Sequence, residues 1–274
     1  MLEFLQGLGY PPVASAHAAA IDALMVWVHW LMALLGGGWL VYFIITLRRF
    51  RQSRNPTASY QGVKNHYSSY LELAVIFAEA LLLIAFSIPL YSDRVDKLPP
   101  ESEAVVVRVV AEQFAWNIHY PGADNVFGKT ELQKIDLQSN PLGLDFSDPA
   151  AKDDIVAVNQ LHIPVAKPVI IHLSSKDVIH SFAIPQMRVK QDAIPGMEVP
   201  VWFTPTVTTA QMRVKLAQPE FDFQIACAQL CGNGHSGMKG FVTVESPDEF
   251  AQWLQSQAPS AGDAAAGDDD SFWQ

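Results

Sequence analysis

Cys227-Ala-Gln-Leu-Cys231-Gly-Asn-Gly-His235-Ser-Gly-Met238 contains the only two cysteines of the chain, and a histidine and a methionine follow within seven residues of the second. Thiolate, imidazole and thioether are soft or borderline donors that suit copper far better than magnesium or calcium. With one cysteine, such a loop would describe a mononuclear blue-copper site. Two thiolates four residues apart can instead each bridge the same pair of copper ions, giving a compact Cu2S2 diamond that shares one electron between equivalent metals. A structural disulfide, a zinc site and a pair of buried thiols compete with that reading, because a C-x3-C pair alone does not choose among them. Zinc seldom takes methionine, and Gly232, Asn233 and Gly234 supply the backbone freedom that a ligand loop needs. A dinuclear site also needs one imidazole per metal, so a second histidine has to come from elsewhere. His180, in Asp177-Val-Ile-His180-Ser-Phe, is the candidate.

Outside this loop the apolar residues are gathered, not spread. Residues 23–47 (ALMVWVHWLMALLGGGWLVYFIITL) carry no Asp, Glu, Lys or Arg, and 71–91 (LELAVIFAEALLLIAFSIPLY) form a second run. Each reaches the roughly 20 residues that a helix needs to cross a hydrocarbon core. Buried core helices and, for the first run, a cleaved signal peptide are the competing readings. Residues 1–22 lack the Lys or Arg with which a signal peptide begins. The link 48–70 holds Arg48, Arg49, Arg51, Arg54 and Lys64 with no acid among them, which places it in the cytoplasm and both termini outside. Glu72 and Glu79 fall on one side of the second helix. Glu72 is near enough to the helix end to snorkel to the headgroups. An acid such as Glu79, near the middle, usually faces a protein partner or a proton path, so the hairpin is expected to pack against another membrane subunit.

From Ser92 onward acids outnumber bases, within a chain of net charge −10, so a nucleic-acid partner is not expected. Short apolar runs separated by turn residues lie at 103–110, 113–120, 156–161, 168–174, 199–203, 211–216, 221–226 and 240–244. This pattern predicts strands in an all-β sandwich or barrel. The organisation expected is an outer N-terminal segment 1–22, a two-helix transmembrane hairpin 23–91, a β domain 92–257 with a polar insertion 122–154, and an acidic low-complexity tail 258–274 that is disordered. An outer, oxidising face would put two free thiols at risk unless they were bonded or held by metal.

These residues resemble subunit II of haem–copper terminal oxidases, the subunit that carries the dinuclear CuA centre. The resemblance runs in order from about Leu24 to Val244. It rests most on Asp177-Val-Ile-His180-Ser-Phe, on Lys190-Gln-Asp192-Ala-Ile-Pro-Gly196 and on the C-x3-C-x3-H-x2-M loop. It implies a cupredoxin-like β domain behind the hairpin. It also implies electron transfer from a c-type cytochrome to the haems of subunit I, where oxygen is reduced to water and protons are translocated, in a bacterial cytoplasmic membrane with the C-terminal domain on the periplasmic face. In ligand terms, Cys227 and Cys231 would bridge both coppers. His180 and Met238 would complete one ion, His235 and the backbone carbonyl of Gln229 the other.

Three positions depart from the family pattern. Most members carry Glu between the cysteines, where it helps bind magnesium at the boundary with subunit I; Gln229 keeps the carbonyl ligand and lacks the carboxylate. The family's aromatic strand commonly reads Gln-Trp-x-Trp, the first Trp receiving the incoming electron, whereas this chain reads Gln113-Phe114-Ala115-Trp116. Phe114 and Trp116 are both candidates for that role, with Trp116 favoured as a packing aromatic. The C-x-x-C-H of a fused haem c domain does not occur, so the donor is expected to be a separate protein. Asp177 and Asp192 could attract a basic cytochrome to the metal rim, and Glu72 matches a family glutamate at a proton-pathway mouth. The alternatives are the structural subunit of a quinol oxidase, whose relatives have lost the copper ligands, and a membrane-tethered mononuclear copper carrier.

Overall fold

The computed structural model describes residues 7, 9–58, 60–62 and 64–257; the tail expected to be disordered lies outside them. Two compact units divide the chain, one containing Ala19–Lys97 and the other Pro11–Ala18 with the residues from Leu98 onward. In the first, α1 (Ala18–Arg49) is one uninterrupted helix. The second apolar run begins as α2 (Tyr67–Leu81), widens into a π-helical turn over Leu82–Ser87, and continues as α3 (Ile88–Val95). The widening immediately precedes Pro89, whose ring and missing N–H oppose a regular α turn at that point. At about 1.5 Å per residue, α1 and the Tyr67–Val95 span both exceed a hydrocarbon core of about 30 Å. Their large apolar side chains, Trp27, Trp39, Phe43, Phe77 and Ile84 among them, stay exposed. Such a surface is at home in lipid or against other membrane helices, not in water.

The second unit is a sandwich of two five-stranded sheets, as the short apolar runs separated by turn residues predict. One has the order β3 (Ile155–Val158), β2 (Ala115–Tyr120), β1 (Val105–Glu112), β5 (Val169–Ser175), β8 (Val199–Phe203). The other runs β4 (Gln160–Pro164), β10 (Lys239–Glu245), β9 (Phe223–Cys227), β6 (His180–Ile184), β7 (Val189–Ala193). Inward residues at period two, Val107, Val109 and Ala111 from β1 and Val242 and Val244 from β10, meet Trp116, Ile118, Phe182, Phe203, Phe223 and Ile225 in one core. β1 alternates only weakly in sequence because its other face is also covered. Val110 there packs against Leu142, Leu144 and Ala151 of the insertion. The insertion is thus anchored to the sheet: Asp154 Oδ2 accepts from Gly128 N at 2.8 Å and pairs with His119 Nε2 at 2.7 Å, both side chains almost wholly buried.

The 156–161 run, expected as one strand, is divided between β3 and β4 in different sheets, and four further elements differ from the strand pattern. Residues 211–216, expected as a strand, lie in the helix α4 (Thr209–Leu216). Thr208 Oγ1 accepts from Gln211 N and Gln211 Oε1 accepts from Thr208 N, a reciprocal cap that outweighs the apolar run. β6 and β7 form a separate hairpin from β5. Every residue of β6 is buried, so it has no alternation to read. A further helix, α5 (Pro247–Gln257), follows β10 and stacks Trp253 on His162 with ring centroids 4.1 Å apart.

The segment before α1 is held by the sandwich. Ala14 N donates to Gln186 O, Thr206 N to Ala14 O, and Ser15 Oγ to Met187 O at 2.7 Å. Residues Pro11–Ala18, before the long helices, therefore belong to the same β unit as the chain from Leu98 onward.

Replacing Asp154 by Ala strands the His119 imidazole and the Gly128 N–H in a dry site. The expected loss is about 3 kcal/mol of unfolding free energy, read from urea denaturation of the detergent-solubilised chain. A loss no larger than that of a surface substitution would show that this contact does not anchor the insertion.

Candidate metal centre

β6 and β9 are antiparallel neighbours, with Phe182 opposite Cys227 and Ala183 opposite Ala226. That register brings His180, at the start of β6, to the end of β9 where Cys227 sits. The chain then turns through 228–238 and re-enters the sheet as β10, with Cys227 N donating to Met238 O at 3.3 Å and Ala228 N to Ser181 O at 2.9 Å. A short 3-10 turn at His235–Gly237 folds the loop back so that His235 and Met238 face the cysteines.

The six expected ligand positions converge. Cys227 Sγ and Cys231 Sγ are 3.7 Å apart and unbonded, against about 2.05 Å in a disulfide. His180 Nδ1 is 3.1 Å from Met238 Sδ and 4.0 Å from Cys227 Sγ. His235 Nδ1 is 3.6 Å from Cys231 Sγ, which is 3.8 Å from Met238 Sδ, and the Gln229 carbonyl oxygen is 3.2 Å from Cys227 Sγ. The metal-capable atoms of His180, Cys227 and Cys231 all lie within 4.8 Å of one another. Sulfurs at this separation can both be reached by one ion at about 2.3 Å. The donor set of two sulfurs, two imidazole nitrogens, one thioether and one carbonyl fits copper.

Burial shapes the chemistry. His180, Cys231 and Met238 are buried, whereas Cys227 and His235 are partly covered and Gln229 is exposed. Burial, with the Cys227 sulfur beside it, pushes the Cys231 thiol up to about 11, so its thiolate calls for a cation close by. Asp177 accepts from His180 Nε2 at 2.9 Å, which leaves the Nδ1 lone pair turned toward the sulfurs. Partial burial raises the Asp177 carboxyl, but hydrogen bonds from His180, Val178 N and Gln113 N outweigh it and hold it below the usual carboxylate range.

The loop's glycines answer to a neighbour. A Cβ on Gly234 would come within 2.5 Å of the Phe114 ring, and Gly232, at φ +139°, is close to both Phe114 and the Gln113 side chain. Phe114 is 38% exposed and lies over the ligand loop, whereas Trp116 is fully buried, edge-on to Phe182 and to His180 at a ring distance of 6.1 Å. Asp192 is on β7, opposite Ser181, with its carboxylate 3.7 Å from Lys190 Nζ. Glu72 and Glu79 belong to α2, in the other unit, and are not part of this cluster. The structure gives contacts with the site to two residues outside the ligand set: Asp177, expected as a docking charge, and Gln113, whose Nε2 donates to Cys231 O at 2.6 Å. The Asp-x-x-His spacing was a usable signal for the first; nothing local marked the second.

Two outcomes follow from this geometry. In metal-free protein, iodoacetamide labelling of Cys231 should remain slow at pH 8 and accelerate as pH rises toward about 11, because only the thiolate reacts; labelling already complete at pH 8 would contradict the burial argument. Gly234→Ala should displace the loop and lower copper retention on dialysis, with Phe114→Ala in the same chain restoring it. No change in the single variant would show that the ring does not set the loop.

Residues 105–246 match the family profile described as cytochrome C oxidase subunit II, periplasmic domain. The chain is 35% identical over 162 residues to the alternative cytochrome c oxidase subunit 2 of Bradyrhizobium diazoefficiens, a match covering 59% of this chain and 54% of that one, about half its length. It is 26% identical over 264 residues to cytochrome c oxidase subunit 2 of Cereibacter sphaeroides, covering 91% and 80% of the two chains. Among solved structures, the periplasmic domain of subunit II of cytochrome oxidase (CoxB) of Bradyrhizobium japonicum is similar at 27% identity and TM-score 0.40, over 59% of this chain and 96% of that one. With its family profile filling most of the β unit behind two apolar helices, the chain belongs to the cytochrome c oxidase subunit II family of haem–copper oxidases.

Proposed function

We propose that this chain is the subunit through which electrons reach a respiratory oxidase, passing from a c-type cytochrome through a dinuclear copper centre to the haems of subunit I, where oxygen is reduced to water with proton translocation. The observation that carries this is the pair of unbonded sulfurs 3.7 Å apart with an imidazole nitrogen near each. Cys227 and Cys231 would bridge the metals, with His180 and Met238 on one ion and His235 and the Gln229 carbonyl on the other. Such a centre, when bound, supplies one-electron transfer at little reorganisation cost, because a charge is shared over two metals. The protein's part is to hold six donors on two adjoining strands and one loop while keeping His180, Cys231 and Met238 from water.

Within this reading Phe114, on the surface over Gly232 and Gly234, is where the electron comes in, and buried Trp116 packs the strand beneath His180. Asp192 and Asp177 add negative charge near the rim, which would draw a basic cytochrome. Gln229 presents a neutral amide where the family's carboxylate meets magnesium, so no magnesium site is assigned to this chain. Glu72 and Glu79 are the acids of the hairpin available to a proton path. The setting is a bacterial cytoplasmic membrane, with the basic link on the inner side and the sandwich in the periplasm.

Metal analysis and EPR of the copper-loaded full chain test the proposal. Two coppers per chain are expected, with a mixed-valence spectrum in which one unpaired electron is shared over both nuclei. A four-line mononuclear spectrum, or zinc in preference to copper, would overturn it. Cys227→Ser should abolish the shared-electron signal with the far-UV circular dichroism unchanged.

A further inference from the structure

The turn that joins β1 to β2 contributes none of the six donors, yet it touches both halves of the site. Asp177 receives a hydrogen bond on each carboxylate oxygen: His180 Nε2 donates to Oδ1 at 2.9 Å, and Gln113 N donates to Oδ2 at 2.8 Å. The same Gln113 donates from its side-chain Nε2 to the carbonyl of Cys231 at 2.6 Å. A continuous path therefore runs from the His180 imidazole through Asp177 and Gln113 to the backbone of Cys231. Its links span 64 and 118 residues of sequence. We propose that Asp177 and Gln113 act together as positioning residues, a polar strap that fixes the distance between the histidine on β6 and the cysteine loop after β9. This rests on the copper reading above and goes beyond it by assigning two residues that hold the two halves of the donor set in register.

The physical case is one of degrees of freedom. The β6–β9 register runs to Phe182 and Cys227, with one further bond from Ala228 N to Ser181 O, so the loop is tied to the sheet at Ala228 and again at Met238, and Cys231 lies between those ties. Cys231 lies four residues into that loop, and the Gln113 bond is made to its own carbonyl. Both links are charge-assisted or made to buried groups, where a lost partner costs most. Gln113 is itself exposed, so it can be changed without opening the core. A docking role for Asp177 uses only its charge; a strap uses its two oxygens separately. The two roles make different predictions for the same variant.

The experiment compares the full-length chain with Gln113→Ala, Asp177→Ala, Asp177→Asn and the double variant Gln113→Ala/Asp177→Ala. Each is loaded with copper and titrated against a competing chelator, with EPR on the loaded samples. The strap predicts that each alanine variant lowers copper affinity about 10- to 100-fold, as loss of an outer partner of a ligand typically does, and alters the copper hyperfine splitting. It also predicts that the double variant loses no more than the worse single one, because either break opens the same path. Asp177→Asn, keeping one acceptor oxygen, should fall between the unaltered chain and Asp177→Ala. Unchanged affinity and spectrum in both alanine variants would overturn the strap, as would losses that simply add. Should Asp177→Ala change only the salt dependence of reaction with a basic cytochrome, Asp177 is a docking charge and the strap is wrong. A second readout needs no metal: without the Gln113 bond the loop opens more often, and iodoacetamide labelling of Cys231 at fixed pH should quicken by about tenfold. If the unaltered chain gives no shared-electron spectrum, the copper reading falls, and the labelling rate still decides whether the strap exists.

Discussion

Two sulfur atoms 3.7 Å apart, in a partly dry corner of a sandwich and not bonded to each other, set the terms for everything around them. Thiolates at that distance repel, and burial already pushes Cys231 up to about 11. Protonation removes both costs, and so does a cation held between the two sulfurs. The nearby donors, two imidazole nitrogens, a thioether and a carbonyl, are all neutral, so a cation held here would meet negative charge from the two thiolates alone. The carboxylate of Asp177 stands one layer out, on the far nitrogen of His180, where it orients the ring without entering the ligand set.

The fold meets this constraint by fixing two of the donors, His180 and Cys227, on neighbouring strands. His180 begins a strand with no exposed residue, wedged between β9 and β7. Met238 lies just before β10, and Cys227 ends β9, its neighbour in the same sheet. Beneath them Trp116 and Phe182 make the core rigid where it meets the site. The ligand loop is shaped from within by the 3-10 turn at His235–Gly237 and from outside by the Phe114 ring against Gly232 and Gly234 and the Gln113 amide on Cys231 O. The two sides of the site also differ. His180 is sealed from solvent, whereas His235 is partly covered and follows Gly234, against which the exposed Phe114 ring packs.

The same logic separates the two units. The long helices bury almost none of their large apolar side chains within the chain, so their stability in place depends on what surrounds them. The β unit, by contrast, carries its own core of inward-facing aliphatic and aromatic residues and covers even the outer face of β1 with its insertion.

Much of this was legible in the chain itself. Apolar runs of spanning length, an all-basic link and period-two strands are local signals, and the loop from Cys227 to Met238 names its donors by residue type and spacing within a dozen positions. What stayed hidden was decided at longer range. The 211–216 run reads as a strand by composition and becomes a helix through the reciprocal cap of Thr208 and Gln211. β6 has no alternation because both its faces are covered. His180 could be nominated from sequence, but only the β6–β9 register carries it across 47 residues to Cys227. The bonds from Gln113 to Asp177 and Cys231 leave no trace in spacing. Side-chain chemistry is written residue by residue, whereas the distances between donors depend on which strands pair, and pairing is settled only when the whole core closes.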